Sequence, residues 1–362
     1  MRAFKIILEW ARTYERHLSA LAMAGGFAFD SYAFGRIDRP MTQAVFISYL
    51  AAAGASIALL HRLESGSVPP KPRDHAILVA VTQFSLGALL SGFCVFYIRS
   101  ASLASSWPFL LFMAAIFIGN EYFRAYASRL VFAALIFFFS LYSYAVLLVP
   151  LTLARIGGVP FLISGGVAVV VFFAYIQLLA FMGHHRYRAA RRQIAGGMLA
   201  ITALLNLFYF TRVFPPLPLV LSDAGIYHSV KKLGGGYQVV SEEEPSRWRA
   251  LFGTIPVLHM MPGEKLYLYS AVFAPDRFAT NIQHRWEWRD PKTKDWMLQQ
   301  TNAFAIQGGR EDGYRGYSFH SAPKAGEWRV NIATLDGRAL GRMRFSVQPA
   351  PNPPALTTNL LK

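Results

Sequence analysis

The segment 282–289, IQHRWEWR, sets His, Arg, Glu and Trp within eight residues. Read as a strand, it sends alternate side chains to opposite faces. His284, Trp286 and Trp288 then point one way, and Arg285, Glu287 and Arg289 the other. Two later segments share the period. In EWRVNIATL (327–335), Trp328, Val330 and Ile332 alternate with Glu327 and Arg329; in GRMRFSV (341–347), Met343, Phe345 and Val347 alternate with Arg342 and Arg344. Placed side by side, the apolar faces make a core. The opposite faces gather Arg285, Arg289, Arg329, Arg342 and Arg344 around Glu287 and Glu327. Guanidinium groups grip carboxylates and phosphates through paired hydrogen bonds, so the candidate ligand of this face is an anion. The same side chains also suit a plain solvated face of cross-strand Arg–Glu pairs. His284 and His320 both fall on strands, but without a third donor at ligand spacing they make no metal site. A structural role for both is expected, with no metal and no cofactor.

A second set of groups sits in or beside apolar runs. Asp30 is an acid within the run 18–34, where a charge is costly unless partnered; Arg36 is the candidate partner if the helix continues, and an interfacial position is the alternative. Glu121 and Arg124 close the run 103–119 as neighbours three residues apart, able to pair or to act as an interfacial anchor with a snorkelling Arg. The loop 184–192, HHRYRAARR, is strongly basic. Its plain role is to orient the chain; a sharper one is contact with anionic lipid head groups. No phosphate-binding Gly-rich loop, nucleophile elbow or zinc-protease motif occurs.

These groups are set in an unusual composition. Of 362 residues, 54% are hydrophobic and 15% charged, against about 25% charged in soluble domains. Residues 1–212 hold 18 Lys/Arg and 7 Asp/Glu, and 213–362 hold 18 and 13. The net charge of +16 does not point to nucleic acid, because the basic residues of the first part lie between long apolar runs. Those runs, 18–34, 41–60, 76–97, 103–119, 130–150, 159–183 and 195–212, approach the 20 or so residues that a bilayer core demands. They must be helical, since lipid offers the backbone no hydrogen bonds. Gly25-Gly26, Gly165-Gly166 and Gly196-Gly197 are candidate close approaches between helices. FKIIL near the start is too short for a cleavable signal, so the first span is expected to direct insertion. With seven spans, 13 Lys/Arg fall on one side and 4 on the other. The positive-inside rule puts the N-terminus in the cytoplasm and the C-terminal part outside. The single cysteine, Cys94, excludes an internal disulfide.

After Arg212 the character changes. Phe214-Pro215-Pro216-Leu217-Pro218 cannot continue a helix, and from about 265 the period is two, over 265–273, 282–289, 314–320, 327–335 and 341–347. The expected architecture is an α-helical membrane bundle of about seven transmembrane helices plus a C-terminal all-β sandwich, immunoglobulin-like in size. Its parts are an amphipathic N-terminal helix (1–17), a seven-span domain (18–212), a linker region (213–264), an extracytoplasmic β sandwich (265–348) and a disordered Pro-rich tail (349–362).

Through HRWEW, RGYSFH and GEWRVNIATLDGRALGRMRFSV the chain resembles a bacterial domain family of unknown function, whose members end in a small β domain with an HRW strand and a Gly-x-Trp-x-Val hairpin. The stretch PPLPLVLSDAGIYHSV is similar to the multi-span region often fused in front of that domain. The resemblance implies a bacterial inner-membrane protein and no particular reaction. The function expected is a non-enzymatic envelope protein in the bacterial inner (cytoplasmic) membrane, presenting a periplasmic domain that binds an anionic envelope component or a partner protein. The alternatives are a membrane-embedded enzyme or carrier acting on a lipid-linked substrate, and a small-solute transporter.

Overall fold

The computed structural model describes residue 30 and residues 34–66, 71–122, 130–242, 255–310 and 312–361. They divide into two compact units. The first holds six helices: α1 (Pro40–Ser65), α2 (Pro72–Ser100), α3 (Leu103–Tyr122), α4 (Leu130–Leu153), α5 (Gly158–Met182) and α6 (His184–Phe210). All but α3 are long and apolar enough to cross a membrane; the apolar stretch of α3 is the shorter Ser105–Ile118. Among the described residues there are thus five such helices, against an expectation of seven spans. Apart from Asp30 and Phe34, the expected segments 1–17 and 18–34 lie outside the described residues, as do Gly25 and Gly26.

Aromatic rings fill the space between helices. Phe46 of α1 stacks on Phe93 of α2 with centroids 5.0 Å apart, and Phe161 of α5 stacks on Tyr209 of α6 at 3.8 Å. Hydroxyls spend their protons across helices: Tyr144 donates to Gln43 Oε1 (2.9 Å) and Tyr175 to the Gly54 carbonyl (2.9 Å). In each of the two described glycine pairs, one member permits close approach. A Cβ on Gly165 would overlap the Tyr142 phenol, and one on Gly197 would overlap Leu135, whereas Gly166 and Gly196 face open space. At one end of the bundle Glu64 of α1 accepts from Arg186 of α6, and its other oxygen lies 2.9 Å from His75 Nε2 of α2. The C-terminal end of α1 and the N-terminal ends of α2 and α6 therefore share one side.

The second unit holds Thr211–Lys362 together with Arg99–Trp107 and Ala154–Gly157. The segment 214–219 is buried within it, and the Leu219 carbonyl accepts from Ser100 Oγ at 2.6 Å. Its strands are β1 (Val220–Tyr227), β2 (Ser229–Leu233), β3 (Gly236–Glu242), β4 (Val257–Met260), β5 (Lys265–Phe273), β6 (Ala279–Arg289), β7 (Trp296–Gln307), β8 (Tyr314–Ser321), β9 (Gly326–Thr334), β10 (Ala339–Pro349) and β11 (Leu356–Leu361). They form sheets of order β1-β5-β8, β4-β10-β9-β6-β7 and β11-β3-β2. In the first two, consecutive strands β5 and β6 change sheet, β8 returns beside β5, and β9 and β10 join β6, with β4 running parallel to β10. This is the strand exchange of an immunoglobulin-type sandwich. Leu266, Leu268, Trp286, Trp328, Val330, Ile332 and Phe345 are buried in its core.

The second unit is larger than the alternating segments foretold. The linker region 213–264 contributes β1 to β4, the hairpin β2–β3 turning at Gly234-Gly235. The tail expected to be disordered supplies β11, antiparallel to β3. Its prolines stop short of the LTTNLL stretch, whose backbone finds a free sheet edge to pair with. The segment after the RDPKTKD turn, which sequence reasoning passed over, is the twelve-residue β7. Its hydrophobic residues fall at both parities and most of the strand is exposed, so no alternation marks it. Trp288, expected in the core, is half-buried. It lies under the turn that follows β8, its Nε1 donating to the Ala325 carbonyl (3.0 Å).

The glycine asymmetry gives a paired test. Gly165→Leu is expected to destabilise the detergent-solubilised chain by the roughly 1–3 kcal/mol typical of overpacking, seen as a lowered melting temperature, whereas Gly166→Leu leaves the melting temperature unchanged.

Candidate functional site

Two layers of β6 position the site. On the inner side, His284 is buried between the sheets, with Nε2 2.9 Å from Ser270 Oγ on β5 and Nδ1 2.8 Å from Ser318 Oγ on β8. Trp286 Nε1 donates to the same Ser318 oxygen at 3.0 Å. A consistent proton assignment follows: Ser318 donates to Nδ1, and Nε2–H donates to Ser270. Both ring nitrogens are spoken for, so neither is offered to a metal. Burial pushes the His284 pKa down to about 3, and the ring is neutral in the folded protein. His320, whose ring packs 4.9 Å from that of Trp328, is likewise lowered by burial.

The outer side of β6, β9 and β10 carries the arginines. Strand registers set Glu287 opposite Arg329, Arg285 opposite Asn331, Arg329 opposite Arg344, and Asn331 opposite Arg342, and Arg289 reaches Glu327. All five sequence-named arginines therefore share one face with both glutamates. Glu287, with a side chain only 8% exposed, accepts from Arg329 Nε and from Asn331 Nδ2 (3.1 Å), and lies 3.6 Å from Arg285. Glu327 accepts from Arg289 at 2.8 Å. Both carboxylates are thus engaged, while Arg342 and Arg344 form no ion pair among the described residues. Arg342 Nε donates to Asn331 Oδ1 at 2.6 Å. Burial, then the like charges of Arg329 and Arg344, push its pKa down, although a guanidinium stays charged at neutral pH.

Trp296, at the start of β7, was not foreseen as part of this face. It stands opposite Arg289 and lies across the surface, with the guanidinium groups of Arg329, Arg289 and Arg344 at 4.3, 5.8 and 5.8 Å from its ring. Such contacts are worth about 0.5–2 kcal/mol each depending on desolvation, and the indole shields the Glu287–Arg329 pair from water. The available signal was the RDPKTKD turn itself: a hairpin turn after an arginine strand requires a returning strand, and its first residue is this tryptophan.

The candidates in the helical unit do not converge. Asp30 accepts from Ser91 Oγ of α2 at 2.6 Å. Arg36 pairs instead with Asp38 through two hydrogen bonds of 3.0 and 2.6 Å. Residues 34–39 are not helical, so the helical spacing that would bring Arg36 back to Asp30 is lost. Glu121 ends α3 with no described side chain, and Arg124 lies outside the described residues. Glu64, which sequence reasoning did not single out, is the acid that joins three helices.

Residues 279–347 match the model of a family described as a protein of unknown function, DUF2914. No curated protein matches. Among solved structures, the chain is similar to an immunoglobulin-like protein from Pseudomonas aeruginosa, at 13% identity over 36% of this chain and 98% of that one, with a TM-score of 0.21. It is also similar to a β-glucosidase from Listeria innocua (11% identity, 33% of this chain and 17% of that one, TM-score 0.20) and to one from Kluyveromyces marxianus (10%, 42% and 18%, 0.19). The chain spans less than a fifth of the length of either glucosidase.

The neutral His284 makes stability pH-dependent. Its folded pKa, about 3, lies below the unfolded value of about 6.5. The stabilisation is therefore complete above pH 6.5 and is lost as the pH falls, because the unfolded chain takes up a proton that the folded one refuses. Between pH 6 and 4 the expected loss from this residue is about 1.4 kcal/mol per pH unit. Denaturant titrations followed by tryptophan fluorescence should show this slope, reduced by about one proton in His284→Gln.

Proposed function

We propose that this protein is a non-enzymatic bacterial inner-membrane protein whose helices anchor a periplasmic β domain, and that this domain binds an anionic envelope component or an acidic partner protein. The observation that carries the reading is the charge left over on the face of β6, β9 and β10. Five arginines meet two glutamates there, both glutamates are engaged within the face, and Arg342 and Arg344 form no ion pair among the described residues. A face serving only its own cross-strand pairs would balance its charges. Arg342 and Arg344, two residues apart on one strand, stand about 7 Å from each other along the sheet, a spacing suited to neighbouring anionic groups.

The orientation is part of the same proposal. Arg99–Trp107 and Ala154–Gly157, which connect α2 to α3 and α4 to α5, belong to the compact unit that holds the strands. Glu64, His75 and Arg186 meet at the ends of α1, α2 and α6. This alternation fits six crossings from Pro40 to Phe210, and one further span in the segment 18–34 would return the N-terminus to the Arg-rich side. That side is cytoplasmic by the positive-inside rule. A membrane-embedded enzyme or carrier is the second reading, favoured by the Asp30–Ser91 hydrogen bond, since a partnered acid at membrane depth is a default functional candidate.

Two experiments test the proposal. Reversal of Arg342 and Arg344 to Glu should leave circular dichroism unchanged, abolish complementation of a deletion strain, and lower the salt concentration at which the solubilised chain elutes from a phosphate-bearing matrix. Full complementation by the double reversal turns attention to Asp30. Independently, a reporter fused after Lys362 should behave as periplasmic and one in the segment 184–194, which forms the start of α6, as cytoplasmic.

A further inference from the structure

The N-terminal turns of α6 carry charge that the rest of the helical unit does not use. Arg186 is held by Glu64. Arg188, Arg191 and Arg192 are exposed and form no ion pair among the described residues. At 100° per residue these three fall within about a quarter to a third of the helix circumference. The same stripe continues along the helix as Ala195, Leu199 and Phe210, all exposed, with Leu199 69% accessible. The helix as a whole is the least covered of the five apolar ones, with 17% of its apolar window buried against 72% for α4.

We propose that this stripe is a binding site for an anionic phospholipid, with Arg188, Arg191 and Arg192 gripping the phosphate and the apolar residues beyond them carrying an acyl chain. The proposal rests on the helical unit lying in a bilayer and is independent of the anion-binding reading of the β domain. Charge and apolar surface select the same occupant. A free phosphate would use the guanidinium groups and leave the apolar stripe in contact with nothing specific. A zwitterionic lipid would use the stripe and gain little from three cations. Only an anionic lipid uses both. The dimensions allow it: Arg192 to Phe210 is 18 residues, which rise about 27 Å along a helix, more than the depth of one leaflet of a roughly 30 Å hydrocarbon core. Arg suits the task because its planar fork meets phosphate oxygens in pairs. Engagement of Arg186 by Glu64 fixes the start of the helix, so the three free arginines are presented in a set orientation.

The test is native mass spectrometry of the full chain in detergent, with phosphatidylglycerol or phosphatidylcholine of equal chain length added. The wild-type chain should retain phosphatidylglycerol in preference. Arg192→Gln alone should lower that preference about fivefold, the ratio equivalent to about 1 kcal/mol per cation at a lipid surface, and the triple change Arg188→Gln, Arg191→Gln, Arg192→Gln should abolish it. The single change alters the charge at this end of the helical unit by one, so it remains decisive if the triple variant inserts wrongly. Equal retention of the two lipids by the wild type would overturn the proposal, as would an unchanged preference in Arg192→Gln. Displacement of the lipid by an equal concentration of inorganic phosphate would overturn the acyl-chain part. A lipid-free dimer that buries Leu199 would show that a second copy covers the stripe.

Discussion

Burial of Trp286 and His284 between two sheets leaves β6 no freedom of register. A slip of one residue would carry the indole and the imidazole into water and bring Arg285 and Glu287 into the core. The hydrogen bonds to Ser270 and Ser318 add a polar condition to the apolar one, because each partner, left alone, would be a buried unsatisfied group. Once β6 is placed, its registers with β9 and β7 follow, and through β9 that of β10. The outer face is thus a consequence of the inner one, and its arginines stand together because the tryptophans opposite them cannot move.

The charge on that outer face has a local cost. Arg329 and Arg344 are direct cross-strand neighbours, an arrangement that disfavours pairing when charges are alike. Glu287 offsets part of it, and Trp296 offsets more by offering the face of its ring to several guanidinium groups. Arg342 keeps a depressed pKa from burial and its like neighbours. The surface therefore holds cations close together with fewer anions than would balance them, which is the condition under which a bound anion gains most.

In the helical unit the organising contacts are of a different kind. Helix approach is set by single glycines meeting Tyr142 and Leu135, and the shared end of three helices by one carboxylate, Glu64. Interior packing is largely apolar and aromatic; some hydroxyls find a partner on another helix, as Tyr144 and Tyr175 do, and others bond to their own helix, as Ser140 and Ser164 do. The least covered helix, α6, combines exposed apolar residues with the basic end of the unit.

The apolar helices and the alternating strands were legible in the sequence because each depends on a short-range period that one window reveals: β5 occupies Lys265–Phe273, the very residues in which alternation was read. Gathering of Arg285, Arg289, Arg329, Arg342 and Arg344 on one face was legible for the same reason, since parity alone decides it. What parity cannot say is which strands adjoin, and so which arginine meets which glutamate. Trp296 as a cover, Ser270 and Ser318 as partners of His284, and β11 as a strand all arise from contacts between residues far apart in the chain. Arg36 bonds to Asp38, and residues 34–39 are not helical, which composition did not mark. Local chemistry thus determined which side chains face together; only the fold, by bringing separate strands and helices into register, decided which charge meets which.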